Sequence, residues 1–231
     1  MILYAIPTPL GGTPQEALPA PALATIRTLR DFVVENAKSA RAFLAAAGCQ
    51  PRELALAELN EHTAPEELPG LLQPLRDGRA LGLLSEAGCP AIADPGAALV
   101  EAAHVAGFRV VPLVGPSAIT LALMASGLEG QRFAFCGYLP RDAAQRAQRI
   151  KQLEQRSRRE HETEIFIETP YRNDALLAAL LASCASGTRL CIAADLTLPS
   201  ESIRTQAIAE WRRSPPSLGK RPAVFLLLAR T

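Results

Sequence analysis

The chain has 231 residues, of which 48% are hydrophobic and 20% charged, a balance typical of a folded protein and unlike that of disordered chains. Its 24 basic and 23 acidic side chains leave a net charge of +1, which excludes a global field that would favour nucleic acid or an anionic membrane as partner. The five cysteines form no C-x-x-C pair, and no apolar run approaches the ~20 residues that span a bilayer. We expect a cytoplasmic protein without disulfides, metal or membrane anchor.

Short β-rich runs alternate with Ala/Leu-rich stretches in the first half, the pattern of an α/β fold with a mostly parallel sheet. The pattern predicts strands at Ile2–Ile6, Phe32–Val34, Leu54–Ala57, Ala80–Leu84 and Arg109–Val114. Between them it predicts helices at Ser39–Ala47, Glu66–Arg76 and Pro95–Ala106. A glycine follows each helix, as a left-handed C-cap requires: Gly48, Gly78 and Gly107.

The second half predicts a smaller, mixed α/β unit. In chain order it contains helix Ala118–Ser126, strand Phe133–Tyr138, basic helix Ala143–Arg158, strand Glu164–Glu168, helix Asn173–Ala185, and strands Arg189–Ala194 and Ala223–Leu228. The run Gly127-Leu128-Glu129-Gly130 interrupts two periodic segments. We therefore expect an N-terminal domain over residues 1–127 and a C-terminal domain over residues 131–231.

Three loops after strands of the predicted parallel sheet combine glycine or proline with few large side chains: Ile6–Gly12, Ser85–Pro90 and Gly115–Ala118. Parallel sheets bind ligands beyond the C-terminal ends of their strands. Such loops let main chain approach a ligand closely, although any strand-to-helix turn uses the same residue types. Ser117 also stands where a helix N-cap is expected, and free N–H groups there favour a carboxylate.

The sequence lacks the motifs of several common classes of enzyme and binding protein. Neither G-x-G-x-x-G nor G-x-x-x-x-G-K-[ST] follows a strand, which disfavours dinucleotide and triphosphate binding. A serine hydrolase would carry G-x-S-x-G, whereas Gly115–Ile119 reads G-P-S-A-I. The three histidines show no metal-ligand spacing with one another or with the cysteines: His62, His104 and His161.

A local excess of positive charge lies between Arg141 and Arg159, where seven basic residues accompany two acidic ones. Such a segment is either a solvated helix face or a set of phosphate contacts. If it contacts RNA, the candidate residues are Arg141, Arg146, Arg149, Lys151 and Arg156.

Taken in order, these motifs resemble those of the tetrapyrrole methylase family, and most of all the branch that 2'-O-methylates a ribose in small-subunit ribosomal RNA. Leu3 to Gly11 is similar to the family's opening strand and proline-rich loop. The other similar segments are Ser85–Pro90 with Ala93–Gly96 (S-D-A-G-T-P and S-D-P-G), Val114–Ala118 (P-G-P-S-A), Phe135–Arg141 (F-x-G-F-L-P-R), Ile167–Arg172 (E-S-P-H-R) and Asp195–Thr197 (E-L-T). Together they cover nearly the whole chain.

The resemblance implies a two-lobed α/β fold, a homodimer, and S-adenosylmethionine bound in a cleft between the lobes as methyl donor to an RNA or RNA-like acceptor. By position it carries over these cofactor-binding residues: Pro7, Glu86, Ala87, Gly88, Ile92, Ser117, Ala118, Leu139, Tyr171, Leu196 and Ala223. If the acceptor is a hydroxyl, a base must take its proton. Glu86 and Glu61 are the candidates, with backbone capping or solvation as the alternative role for both. The chemistry requires no metal.

The sequence departs from that branch outside the cofactor motifs. After the second strand the branch carries E-D-T-R-H, whereas this chain reads Glu35-Asn36-Ala37-Lys38-Ser39. The branch's H-N-E is Leu59-Asn60-Glu61 here, and the lysine after its E-L-T is Leu198. Arginine grips phosphate through a planar fork that lysine cannot reproduce. We therefore expect a retained cofactor with a different acceptor; a tetrapyrrole or other small acceptor and a non-catalytic cofactor-binding homologue remain alternatives.

Overall fold

The computed structural model describes residues 1–229, whose strands form two five-stranded sheets. The chain divides into two units, Met1–Ser117 and Ala118–Thr231, and each unit contains one of the sheets. Residues 230 and 231, the last two of the predicted C-terminal domain, lie outside the described residues. The structure confirms the predicted α/β fold, with a parallel sheet in the first unit and a mixed sheet in the second.

The first unit contains a parallel sheet with strand order β3-β2-β4-β1-β5. Its strands are β1 (Ile2–Ile6), β2 (Asp31–Val34), β3 (Ala55–Glu58), β4 (Leu81–Leu84) and β5 (Arg109–Pro112). Its helices are α1 (Pro14–Ala17), α2 (Ala20–Thr28), α3 (Ala37–Ala46), α4 (Leu68–Leu71), α5 (Gln73–Arg76) and α6 (Gly96–Val105). Phe32 and Val34 pack into one hydrophobic core and Val33 into another, because successive side chains of a strand point to opposite faces.

The connections of this sheet reverse direction between β2 and β4. The chain leaves β2 for β3 on one side, and it leaves β4 for β5 on the other side. In open parallel sheets, such a topological switch point creates a crevice beyond the C-terminal ends of the two strands. The fold therefore locates a binding crevice immediately after Val34 and Leu84.

The second unit contains a mixed sheet with strand order β6-β7-β10-β8-β9, in which β6 and β7 are parallel and the other pairs antiparallel. Its strands are β6 (Phe133–Tyr138), β7 (Thr163–Ile167), β8 (Arg189–Ala194), β9 (Ser202–Ala207) and β10 (Ala223–Leu228). Its helices are α7 (Ala118–Ser126), α8 (Ala143–Glu160), α9 (Asn173–Ser183) and α10 (Ile208–Arg213). All six residues of β10 are buried, so this central strand organises the core.

The largest error of the sequence prediction is the single helix expected over Glu66–Arg76. The structure has a 3-10 turn at Pro65–Glu67 followed by the separate helices α4 and α5. Pro69 and Pro74 each occupy the first turn of a new helix, because proline lacks the N–H that would continue the preceding one. Five of the other predicted elements match the structure at both ends, and the rest shift by one or two residues. Gly48, Gly78 and Gly107 have the positive φ expected of C-caps.

No element is predicted from the sequence at α1, α2, α10 or β9, all of which the structure contains. The strand β9 reads S-I-R-T-Q-A and lies at the edge of its sheet, where it is only partly buried. An edge strand with one solvated face lacks the continuous apolar run that identifies a central strand. Its polar composition therefore hides it from a pattern based on hydrophobicity.

The division between the units falls at Ser117, ahead of the boundary expected at residues 127–131. Helix α7 packs against β8, β9 and β10, and the carbonyl of Ser126 accepts a hydrogen bond of 2.6 Å from the Thr205 hydroxyl. These contacts assign the helix to the second unit. That unit is therefore nearly as long as the first rather than smaller.

We predict that Gly82→Ala destabilises the first unit. A Cβ at Gly82 would lie 2.5 Å from Cδ1 of Phe32 and 2.9 Å from Cδ1 of Ile6. Overpacking of this kind costs roughly 1–3 kcal/mol. Gly70→Ala is the matched control, because a Cβ there meets no heavy atom within 4 Å and alanine favours a helix. Urea unfolding followed by circular dichroism measures both; equal midpoints for Gly82→Ala and the wild type would contradict the expected packing.

Candidate functional site

The loops after β1 and β4 are joined by a reciprocal pair of backbone hydrogen bonds. The N–H of Thr8 donates to the carbonyl of Gly88 at 2.9 Å, and the N–H of Gly88 donates to the carbonyl of Thr8 at 3.0 Å. The buried Thr8 also donates through its hydroxyl to the carbonyl of Ser85 at 3.4 Å. Gly88 has a φ of +76°, a conformation that favours glycine over residues with a side chain. The two loops are thus fixed to each other.

The loop after β5 packs onto the loop after β1. A Cβ at Gly115 would lie 2.4 Å from Cβ of Pro7, so the backbone of Gly115 approaches the Pro7 ring more closely than a residue with a side chain could. The thiol of Cys89 donates to the carbonyl of Pro116 at 3.4 Å, which joins the loop after β5 to the loop after β4 as well. The structure therefore brings the three motif loops of the first unit into mutual contact.

Ile92 lies between two residues with left-handed backbone conformation, Ala91 with a φ of 66° and Ala93 with a φ of 63°. This conformation costs an L-residue with a side chain roughly 1–2 kcal/mol. The Asp94 carboxylate holds the segment, because its Oδ1 accepts hydrogen bonds of 2.8 Å from the N–H groups of Ala91 and Gly96. Strain of this kind concentrates at functional sites. The result is a large apolar side chain, Ile92, presented 46% exposed.

A pocket of about 280 Å³ opens at the switch point between β2 and β4. Its lining belongs entirely to the first unit and comes from the ends of β1, β2 and β4 and from helix α3. The apolar part of the lining is formed by Pro9, Pro14, Val34, Ala40, Ala42, Phe43, Ala46 and Leu84, with Gly12. The polar part is formed by Thr8, Glu35, Asn36, Ser39, Ser85 and Glu86.

The polar side chains of this pocket are linked by hydrogen bonds. Oε1 of Glu86 accepts a hydrogen bond of 2.5 Å from the Ser39 hydroxyl. Oε2 of Glu35 accepts one of 3.3 Å from the backbone N–H of Glu86. Asn36 caps helix α3 through its side-chain oxygen, which accepts from the N–H groups of Lys38 and Ser39 at 2.9 and 3.3 Å. The two carboxylates therefore face the pocket in fixed positions.

Glu35 is a site residue that the sequence reasoning left out of its candidates. Partial burial raises the pKa of its carboxyl, the backbone N–H of Glu86 opposes that rise, and the negative charges of Asp94 and Glu86 add to it. Its position in the sequence could have identified it, because Glu35 directly follows the buried strand β2, at the end of the sheet where ligands bind.

The structure separates the two carboxylates expected as bases. Glu86 lines the pocket, whereas the side chain of Glu61 is 87% exposed, with Nε2 of His62 3.7 Å from its Oε1. Glu61 is not among the residues that line the pocket.

Three motif residues of the second unit differ in their burial. Leu139 and Ala223 are buried in its hydrophobic core, which gives both a packing role. Tyr171 is 78% exposed, and the ammonium group of Lys220 lies 5.0 Å from the centre of its ring. Tyr171 therefore presents an aromatic ring to solvent that the core does not require.

Leu196 repeats in the second unit the arrangement seen at Ile92. It lies between Asp195 with a φ of 54° and Thr197 with a φ of 70°, both in the left-handed region. The Asp195 carboxylate accepts hydrogen bonds of 2.6 Å from Arg221 and 2.9 Å from Ser200, and these bonds lower the pKa of Asp195. Both units thus carry an apolar motif residue between two strained neighbours.

Arg156 does not have the free charge expected of an RNA contact. It forms ion pairs with Glu164, which is fully buried, and with Glu162 at 2.9 Å. An unpaired buried carboxylate would be strongly destabilising, so Arg156 is committed to neutralising Glu164. This pairing corrects its expected role. Lys151 and Arg141 are exposed, and Arg146 donates to the carbonyl of Arg141 at 3.0 Å.

Within residues 1–229, no group of three or more His, Cys, Asp or Glu side chains is arranged to hold a metal ion. No helix in that part of the chain combines the length and apolar composition needed to cross a membrane.

Comparison with known proteins places these features among methyltransferases. The sequence profile described as Tetrapyrrole (Corrin/Porphyrin) Methylases matches residues 3–211. A Ribosomal RNA small subunit methyltransferase I from Mesorhizobium japonicum is 36% identical over 203 residues, covering 88% of this chain and 66% of the relative. The protein of that name from Vibrio cholerae is 32% identical, covering 90% of this chain and 69% of the relative. The chain thus spans about two thirds of the length of these relatives.

Solved structures share the fold. The methyltransferase CobJ superposes with a TM-score of 0.67 at 18% identity, covering 99% of this chain and 93% of that chain. Uroporphyrin-III-C-methyltransferase from Thermus thermophilus superposes with a TM-score of 0.57 at 20% identity, covering 98% of this chain and 94% of that chain. At such identities the likeness concerns the fold alone.

We predict that Asp94→Asn becomes more stabilising, relative to the wild type, as the pH rises. Burial raises the pKa of the Asp94 carboxyl above its ordinary value of 3.8, and it outweighs the two backbone N–H donors, which lower that pKa. The folded state then binds the proton more tightly than the unfolded state, so ionisation destabilises the fold as the pH rises through and above 3.8. Asparagine keeps an acceptor oxygen for the two N–H groups and carries no charge.

Urea unfolding at several pH values between about 4 and about 7 tests this expectation. Glu101→Gln is the control, because it removes the charge of an exposed carboxylate on α6. A stability difference between Asp94→Asn and the wild type that stays constant or falls with pH would contradict the assigned burial.

Proposed function

We propose, because the chain belongs to the tetrapyrrole (corrin/porphyrin) methylase family, that it transfers a methyl group from S-adenosylmethionine to an RNA acceptor. The profile match confirms the family indicated by the motifs, and the chain is accordingly a methyltransferase. The observation that carries the cofactor proposal is the mutual contact of the loops after β1, β4 and β5, at the edge where parallel sheets bind ligands. The names of the relatives support RNA as the acceptor.

The residues of the first unit fit an adenosyl cofactor. Pro7 and Gly88 belong to the joined loops, where small residues leave the backbone accessible to a ligand. Ile92 offers an apolar surface for a ring, held by strained neighbours. The other residues of the first unit that the motifs propose as cofactor contacts are Glu86, Ala87 and Ser117. When bound, S-adenosylmethionine supplies an electrophilic methyl group on its sulfonium, so the protein's main task is to hold the acceptor atom in line with it.

Five further residues are proposed as cofactor contacts from the family resemblance: Ala118, Leu139, Tyr171, Leu196 and Ala223. The exposed ring of Tyr171 and the strained segment around Leu196 support the proposal for those two positions. Leu139 and Ala223 are core residues, which makes them supports for the neighbouring backbone as well.

Glu86 is the residue proposed to take the proton from an acceptor hydroxyl. Its carboxylate lines the pocket and is oriented by the Ser39 hydroxyl. A general base needs such a fixed position, because it must lie within hydrogen-bond reach of the proton that it removes. Glu61, whose side chain is 87% exposed beside His62, is the second candidate. The fixed position of Glu86 favours it over Glu61.

Four basic residues of the segment around α8 remain proposed RNA contacts: Arg141, Arg146, Arg149 and Lys151. Contacts of this kind bind phosphate without reading sequence and weaken with added salt. Action on RNA would place the protein in the cytoplasm.

We predict that the protein binds S-adenosylhomocysteine and transfers a labelled methyl group from S-adenosylmethionine to RNA, and that Ser117→Leu abolishes both activities. The larger side chain fills space in the loop after β5 that the cofactor needs. Ser214→Leu is the matched control, because Ser214 is exposed at the end of α10. Calorimetry measures binding, and scintillation counting measures transfer to small-subunit ribosomal RNA, to other RNA and to a porphyrinogen.

No cofactor binding by a folded wild-type protein at millimolar concentration would contradict the proposal. Transfer to the porphyrinogen alone would replace RNA by a small-molecule acceptor. If Ser117→Leu is folded and binds the cofactor normally, the proposed cofactor site is wrong.

A homodimer is also proposed, from the family resemblance and from helix α7. The helix reads A-I-T-L-A-L-M-A-S, and its Met124 is 80% exposed. Apolar surface of this kind is typical of an interface.

We predict a mass in light scattering of twice the 24.6 kDa chain, and a shift of Met124→Glu toward the mass of one chain. The reason is that the new charge would lose its water at the interface. Val105→Glu is the control, because Val105 is 85% exposed on α6. A wild-type mass of one chain at micromolar concentration would refute the dimer.

A further inference from the structure

The pocket at the switch point is a cavity that the proposed cofactor contacts leave largely unused. Among the residues that line it, Glu86 alone belongs to the set proposed for the cofactor. The proposed contacts of the first unit follow β1, β4 and β5, whereas the pocket lies at the ends of β1, β2 and β4 and against α3. The pocket could therefore bind a ligand group other than the cofactor.

The polar side of the pocket offers acceptors held in place. The Ser39 hydroxyl and the backbone N–H of Glu86 orient the carboxylates of Glu86 and Glu35, respectively. An ionised carboxylate only accepts hydrogen bonds and has about four lone-pair sites, so each retains capacity beyond these contacts. An edge made of two carboxylates matches a ligand edge that carries N–H donors.

The remaining lining favours a flat ring. Phe43 offers an aromatic surface, and Pro9 and the alanines of α3 provide small apolar neighbours. Aromatic side chains bind planar rings by stacking. The volume of about 280 Å³ lies just below the range of roughly 300–1,000 Å³ that is typical of small-molecule sites. The space thus suits one heterocycle and its sugar better than a large multi-ring ligand.

The described lining of this pocket offers no basic side chain that could pair with a phosphate. Within the described part of the chain, none of its lining residues is lysine or arginine. Lys38, which stands where the resembling branch has an arginine, is exposed on α3 and does not line the pocket. Two carboxylates without a cation repel an anionic group, and like-charge placement of this kind excludes wrong ligands.

We propose that this pocket binds an amino-bearing planar heterocycle, a nucleobase whose N–H donors face Glu35 and Glu86 while its phosphates stay outside. The identification of that base as part of the methyl acceptor rests on the proposed function. The binding preference itself follows from the pocket alone.

The test is calorimetric titration of the protein saturated with S-adenosylhomocysteine, which keeps nucleosides out of the cofactor site. In two matched pairs an exocyclic amino group is replaced by an oxo group: cytidine with uridine, and adenosine with inosine. The oxo member loses the two N–H donors of the amino group and gains a single ring N–H beside a carbonyl oxygen, which two carboxylates repel. We expect the amino member of each pair to bind at least about fivefold more tightly, the lower end of the discrimination that a paired base contact gives. The 5'-monophosphates should bind no more tightly than the nucleosides.

Glu35→Gln and Glu86→Gln should each reduce the preference for the amino member to less than about threefold, because an amide both donates and accepts. Glu58→Gln is the control, since Glu58 accepts a hydrogen bond of 3.0 Å from the N–H of Ala37 but does not line the pocket. It should retain the full preference. Retention of that preference in Glu35→Gln and Glu86→Gln would overturn the proposal.

The proposal is also overturned by no nucleoside binding at millimolar concentration, by equal affinity within both pairs, or by tighter binding of the monophosphates. Displacement of the nucleoside by S-adenosylhomocysteine would show that the pocket belongs to the cofactor, which also overturns it. A protein that does not bind S-adenosylhomocysteine would contradict the proposed function only. In that case, the same titrations on the protein without S-adenosylhomocysteine would measure whether the pocket prefers the amino member of each pair.

Discussion

The candidate site depends on the reciprocal hydrogen bonds between Thr8 and Gly88. They fix the loop after β1 to the loop after β4, although these loops are far apart in sequence. The loop after β5 packs against Pro7, and Thr8, Ser85 and Glu86 line the pocket. A positioned site requires such support, because small displacements of reacting groups reduce rates sharply. The pairing therefore holds the proposed cofactor loops and the pocket in one rigid arrangement.

The net charge of +1 hides local clusters of acidic and of basic side chains. The pocket of the first unit presents Glu35 and Glu86, whereas α8 of the second unit presents exposed basic residues such as Lys151. An RNA ligand offers both kinds of complement, because its phosphates are anionic and several of its bases carry N–H donors. The two units thus present local surface charge of opposite sign.

The sequence predicted the features that follow from local patterns. The strands of the parallel sheet, the C-cap glycines and the three loops at its edge all follow from periodicity and from the positions of glycine and proline. It did not predict β9, whose edge position makes it polar, or the pairing of Arg156 with the buried Glu164, which joins a helix to a strand. It also passed over Glu35, whose importance depends on a strand order that periodicity does not reveal.

A crystal structure with S-adenosylhomocysteine tests most directly the central claim, that the cofactor loops and the acidic pocket are separate parts of one site. The account predicts cofactor density in contact with Pro7 and Gly88, and a pocket between Glu35 and Phe43 that the cofactor leaves open. Cofactor density filling that pocket, or lying away from the joined loops, would contradict it.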